Sequence, residues 1–162
     1  MGVAEARRGR DIGAGDVHGL QIRARIHRAG QEVKVRRYEP LTIQRTASRI
    51  KAGDDPWLCI REFLDDFYAA EGNPEQQRAL LAGRPDLTGN QRFDAYLAAL
   101  AEHLAVHGDL PVPAWVHEPE RFLETWWFPT GFRSLHALAL VQSPASFRRR
   151  GIFVDETELQ RC

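Results

Sequence analysis

Few residues of this 162-residue chain combine a reactive side chain with a spacing that could do chemistry. His103 and His107 are four residues apart in a predicted helix, a spacing at which two imidazoles can hold one metal ion. Zinc-protease helices of this kind carry a glutamate directly after the first histidine, whereas Glu102 precedes it here, and no third ligand stands nearer than His117 or Glu118. His107 also falls at the predicted end of the helix, where the helix dipole stabilises an imidazolium. We therefore expect no metal site.

Carboxylates and hydroxyls give no catalytic pattern either. Asp54 and Asp55 stand before a proline and are explained as a helix start, while Asp65 and Asp66 point in different directions around the same predicted helix. Ser143 also precedes a proline, which is typical of a helix N-cap. The sequence has no nucleophile elbow, phosphate-binding glycine loop or Cys–His pair. We predict that the chain is not an enzyme and uses no cofactor.

The segment from Pro113 to Val154 is unusually aromatic and basic, with three of the four tryptophans, five of the eight phenylalanines and the only run of three arginines. The apolar spacing predicts short helices in this segment. One begins at His117 and has an apolar face of Phe122, Leu123, Trp126 and Trp127. The next has an apolar face of Phe132, Leu135, Leu138 and Ala139. Two interpretations are open: the tryptophans are core and the arginines a solvated helix end, or together they form a docking face, because Trp and Arg dominate interface hot spots. The predicted partner-binding residues are Trp115, Trp126, Trp127, Arg148, Arg149 and Arg150. At least two of these arginines should reach solvent, since burying an unpaired guanidinium is costly.

Helical patterns also cover the rest of the chain from Leu41 onward, where apolar residues recur at spacings of three and four. Thr42, Asp55, Asn73 and Asn90 each precede such a pattern and predict N-caps. We therefore predict an all-α fold, a compact bundle of about six or seven short helices forming a single domain over residues 41–162.

Residues 1–40 differ from this body. They carry nine Lys/Arg and five Asp/Glu, a net charge of +4, which balances −4 in the remainder. Alternating apolar residues between Leu20 and Val35 favour a β-hairpin, but the preceding Gly, Ala and Arg residues favour a disordered extension, and both interpretations stay open. The two cysteines have no paired spacing, and no stretch is apolar enough for a signal peptide or membrane span. We expect a cytoplasmic protein without membrane contact.

Two segments, LTIQRTASRIKAGDDPWLCIREFLDDFY (41–68) and PAWVHEPERFLETWWF with ALALVQSPASFRRRGIFV (within 113–154), carry a resemblance to known sequences. They resemble an uncharacterised actinobacterial family of small helical proteins whose genes often lie beside those of nucleotidyltransferase-type toxins. The resemblance implies an antitoxin-like role but assigns no function to any single residue.

Two functions follow as hypotheses. The first is a non-catalytic protein-binding module, antitoxin-like, that neutralises a partner enzyme. The second is a small helical DNA-binding transcriptional regulator, with a helix-turn-helix around Pro74–Asn90 and Arg148–Arg150 on phosphates. The acidic body and a candidate recognition helix whose only fixed positive charge is Arg92 argue against the second.

Overall fold

The computed structural model describes residues 38–159, which form six α-helices; the connections are short except between the fourth and fifth helices, where residues 108–135 include three 3₁₀ turns. In chain order these are α1 (Ile43–Ala52), α2 (Pro56–Ala69), α3 (Pro74–Ala82), α4 (Gln91–His107), α5 (His136–Gln142) and α6 (Ala145–Arg148). Residues 38–159 contain no strand, only one isolated β-bridge, and the predicted all-α class is confirmed. None of these helices is both long and apolar enough to cross a lipid bilayer. The β-hairpin and the disordered extension proposed for residues 1–40 lie almost wholly outside the described residues, so both stay predictions.

Side-chain caps explain where the first four helices begin. Thr42, Asp55, Asn73 and Asn90 each accept a hydrogen bond from a backbone N–H two or three residues further on. Each bond satisfies a donor that the first helical turn leaves unpaired. Gly53 ends α1 with a φ of 103°, a left-handed conformation that glycine adopts at little cost. These predicted boundaries are confirmed.

The helix α4 is the centre of the domain. Twelve of its seventeen residues are buried, from Asp94 to Ala105 without interruption. Five of those twelve are alanines, so neighbouring segments can approach the helix closely on most sides. Helices α1 and α3 pack on it, and so do α6 and the two 3₁₀ turns at Ala114–His117 and Pro119–Arg121. The segment from Ala114 to Arg148 is therefore attached directly to α4 through these two 3₁₀ turns and α6.

The predicted helix across Phe122–Trp127 is wrong. After the turn at Pro119–Arg121 residues 122–132 form no helix, and Trp127 forms a parallel bridge with Ile152. Its N–H donates to Gly151 O at 2.8 Å, and its carbonyl accepts from Phe153 N at 3.0 Å. These long-range backbone bonds replace the local bonds of a helix. Because adjacent side chains of an extended segment point to opposite sides, Trp126 and Trp127 have different environments.

Candidate protein-interaction surface

A buried arginine joins the C-terminal segment to α4. Arg150 is fully buried, and its guanidinium pairs with Glu102 at 2.5 Å on α4. It also donates to Ser146 O at 2.7 Å and Val116 O at 2.6 Å, and it lies 4.8 Å from the Phe122 ring centroid. Burial lowers the pKa of Arg150, while the Glu102 carboxylate opposes that change. Arg150, one of the predicted partner-binding residues, therefore has its guanidinium directed into the interior, where it fixes the position of this segment.

The two preceding arginines do reach solvent, as predicted. Arg149 is held in place because it pairs with the other oxygen of Glu102 at 2.8 Å and lies 2.8 Å from Nδ1 of His117. Arg148 is exposed and forms no ion pair with any residue between 38 and 159. Arg148 is consequently the cation of this run that a partner could engage without disrupting an internal contact.

The three tryptophans that were predicted to bind a partner also differ in burial. Trp115 is buried, and its indole donates to Leu81 O at 3.3 Å. Trp127 packs against the core, where its ring meets those of Phe93 at 5.7 Å and Tyr96 at 6.2 Å. Only Trp126 is well exposed, at 70 %. Trp115 therefore lies in the interior and Trp127 packs partly buried against it, so of the three only Trp126 presents most of its ring to solvent.

The helix α5 is apolar and lies on the surface of the domain. In α5 (sequence HALALVQ) Ala139 is the only buried residue, while Leu138, Leu140 and Val141 are exposed, Val141 to 77 %. Phe132 and Leu135, just before the helix, are 71 % and 44 % exposed. Of the predicted apolar face of Phe132, Leu135, Leu138 and Ala139, only Ala139 is buried. A helix that is apolar around most of its circumference is normally buried.

Aromatic contacts connect Trp126 to this helix. Trp126 packs edge-on against Phe153, which stacks on Phe128, with ring centroids 5.1 Å apart in both pairs. Phe128 in turn stacks on His136 at 4.0 Å, the first residue of α5. We call the resulting area the apolar surface and define it by the exposed residues Trp126, Phe132, Leu135, Leu138, Leu140 and Val141.

Ser143 fixes the end of α5 against the bridge region. Its hydroxyl donates to Ile152 O at 3.3 Å and accepts from Val154 N at 3.2 Å, and the residue is buried. The N-cap of α6 is Pro144, without a side-chain cap bond, so the predicted capping role of Ser143 is wrong. The hydroxyl is used for a longer-range connection that local sequence does not reveal.

Two exposed arginines flank α5 in the sequence. Arg133 precedes α5 and Arg148 follows it, both exposed and without an ion-pair partner among residues 38–159. No acidic residue occurs between Thr125 and Arg149, and Glu124 is the nearest one before Trp126. Helix α5 therefore has a positive charge on either side in the sequence, while Asp155 follows Phe153, the ring partner of Trp126, by two residues.

The histidine pair of α4 offers little to a metal ion. The centroids of the His103 and His107 rings lie 4.0 Å apart with the ring planes tilted by 39°, and Nδ1 of His107 lies 2.8 Å from the His103 carbonyl oxygen. Burial, followed by the neighbouring His107, lowers the pKa of His103 to about 4, so this ring is neutral at pH 7. No group of three His, Cys, Asp or Glu side chains within the described residues could hold a metal.

Comparisons of the chain with protein-family models, curated proteins and solved structures found no match. The surface described above therefore has to be interpreted from its own chemistry.

Proposed function

We propose that this protein is a non-catalytic protein-binding module that binds a partner through the apolar surface. The observation that carries the proposal is α5, a helix that exposes leucine and valine side chains on most of its circumference. Exposed apolar side chains in this number on one short segment are typical of interaction sites in soluble domains. Burying such side chains in a partner groove supplies the main favourable free energy of association.

The charges define the kind of partner. Arg133 and Arg148 would face acidic groups around an apolar groove, because complementary charges raise the association rate and select the register. The resemblance to the antitoxin-like family adds a candidate of this chemistry, a nucleotidyltransferase-type enzyme whose metal-binding site has an acidic rim. The chain would then neutralise that enzyme by covering the rim.

Co-expression with the enzyme encoded beside it tests the proposal. The double variant Leu138→Glu/Val141→Glu should no longer co-purify with the enzyme and no longer protect cells from it, because desolvating carboxylates in an apolar groove is costly. The matched control Leu58→Glu/Val106→Glu places the same two charges at exposed apolar positions of α2 and α4, and should bind normally. Equal binding by both double variants would contradict the proposed surface.

The DNA-binding alternative depends on α4 as its recognition helix. That helix is buried from Asp94 to Ala105, so it does not present a face to a DNA groove. An electrophoretic mobility assay with the upstream region of its own gene separates the two functions. Salt-sensitive binding that is lost in Arg148→Glu but kept in Leu138→Glu/Val141→Glu would favour the regulator.

A further inference from the structure

A cleft of about 560 Å³ lies between the end of α3 and the connector that follows α4, on residues that the apolar surface does not include. Its size is within the range of small-molecule sites in proteins. Pro111, Val112, Pro113 and Trp115 form its apolar part, and Arg78, Arg84 and Glu118 supply its charges. The arrangement, mostly apolar with a few charged groups, is typical of sites for ligands with an apolar body and one polar end.

The apolar part of the cleft is held rigidly. Pro111 and Pro113 restrict the backbone of the connector. The indole of Trp115 donates to Leu81 O at 3.3 Å, and the guanidinium of the buried Arg121 lies 5.1 Å from its ring centroid. A preformed wall loses little conformational entropy when a ligand binds.

The charged part has a positive excess. Glu118 accepts from Nε of Arg84 at 2.6 Å, and this bond lowers the pKa of Glu118, so the carboxylate is ionised and already neutralised. Its second oxygen lies 3.5 Å from Nε of Arg121. Arg78 is exposed and forms no ion pair with any residue that the structure describes. The cleft therefore offers one uncompensated guanidinium, a group whose geometry matches a carboxylate.

We propose that this cleft is a binding site for a small carboxylate with a flat apolar body. The apolar body would lie on Val112, Trp115 and the proline rings, and the carboxylate would pair with Arg78. The site is independent of the proposed protein-binding function because no residue is shared with the apolar surface.

Titrating the full chain with 2-naphthoate tests the proposal, with the uncharged 2-naphthamide as comparison ligand. Binding is followed by the indole N–H resonances in ¹H–¹⁵N spectra, since Trp115 lines the cleft and Trp126 lies on the apolar surface. We expect a saturable shift of the Trp115 signal with a Kd below about 1 mM for naphthoate and at least about fivefold weaker binding of naphthamide. A shift confined to Trp126, or equal affinities for the two ligands, would overturn the proposal.

Variants at exposed positions keep the test independent of folding. Arg78→Gln should weaken naphthoate by about fivefold or more and leave naphthamide unchanged, whereas Arg61→Gln, at an exposed arginine of α2, should change neither. Val112→Trp should weaken both ligands by filling the cleft, and the 37 % exposure of Val112 leaves room for the larger side chain. Unchanged naphthoate binding in Arg78→Gln, or in Val112→Trp, would contradict the assigned site.

Discussion

Replacing Arg150 with methionine should destabilise the domain far more than the same change at Arg149 or Arg148. The substitution removes the guanidinium that pairs with Glu102 and that donates to the carbonyls of Ser146 and Val116. Methionine fills much of the same space, so the change tests the polar contacts more than the packing. All three acceptors lie in the interior, where water cannot replace the lost donor.

The magnitude follows from what remains after the change. Breaking a buried ion pair by removing one partner costs about 3–5 kcal/mol. Glu102 keeps its bond to Arg149, so its charge stays partly compensated and the lower end, about 3 kcal/mol, is expected. For a chain of this length that loss corresponds to a melting temperature lower by roughly 6–12 °C.

The neighbouring arginines are internal controls. Arg149 is 40 % exposed in its side chain, so solvent screens its bond to Glu102 and Arg149→Met should cost at most about 1 kcal/mol. Arg148 has no described partner, and Arg148→Met should leave the melting temperature within error. Urea unfolding followed by circular dichroism gives the three free energies. Similar losses for all three variants, or the largest loss for Arg148→Met, would refute the assignment of Arg150 as the residue that attaches this segment.

Three further perturbations have defined outcomes. Ser143→Ala should lower the free energy of unfolding by about 1–3 kcal/mol, measured by urea titration, because Val154 N loses its buried acceptor. Gly53→Ala should lower the melting temperature by a few degrees in a thermal scan, since a side chain at a φ of 103° strains the backbone at roughly 1–2 kcal/mol. The free energy of unfolding should fall as pH drops from 6.5 toward 4, by an amount on the order of 1–3 kcal/mol, because His103 takes up a proton in the unfolded state but not in the folded one. Urea unfolding at pH 7.5 and pH 5 should show this loss of stability in the parent chain and in the control variant His117→Gln, and a smaller loss in His103→Gln. Equal losses in all three proteins would contradict the role of His103.

The elements that are determined by residues close to one another in the sequence could be predicted from the sequence. Thr42, Asp55, Asn73 and Asn90 cap their helices through bonds that span two or three residues, and such bonds leave a local pattern. The same holds for the apolar spacing that identified α4. The fold class was therefore predictable, whereas the surface was predictable only in part.

What could not be predicted depends on distant partners. Arg150 is buried because Glu102, 48 residues earlier, reaches it from α4, and nothing in the RRR motif distinguishes it from its neighbours. Trp126 and Trp127 follow Phe122 and Leu123 at a helical spacing of four, yet Trp127 pairs with Ile152 in a β-bridge instead of forming a helix. The leucines of α5 have a core-like pattern, and sequence alone does not distinguish an apolar face that packs inside from one left for a partner.

Hydrogen–deuterium exchange of the chain, alone and in the presence of the product of its neighbouring gene, tests the central claim most directly. It requires no substitution and reports where the complex buries backbone. Binding through the apolar surface predicts slower exchange in the peptides that cover residues 126–142, with the exchange of α1 and α2 unchanged. Protection located elsewhere, with residues 126–142 exchanging as fast as in the isolated chain, would contradict the proposed function.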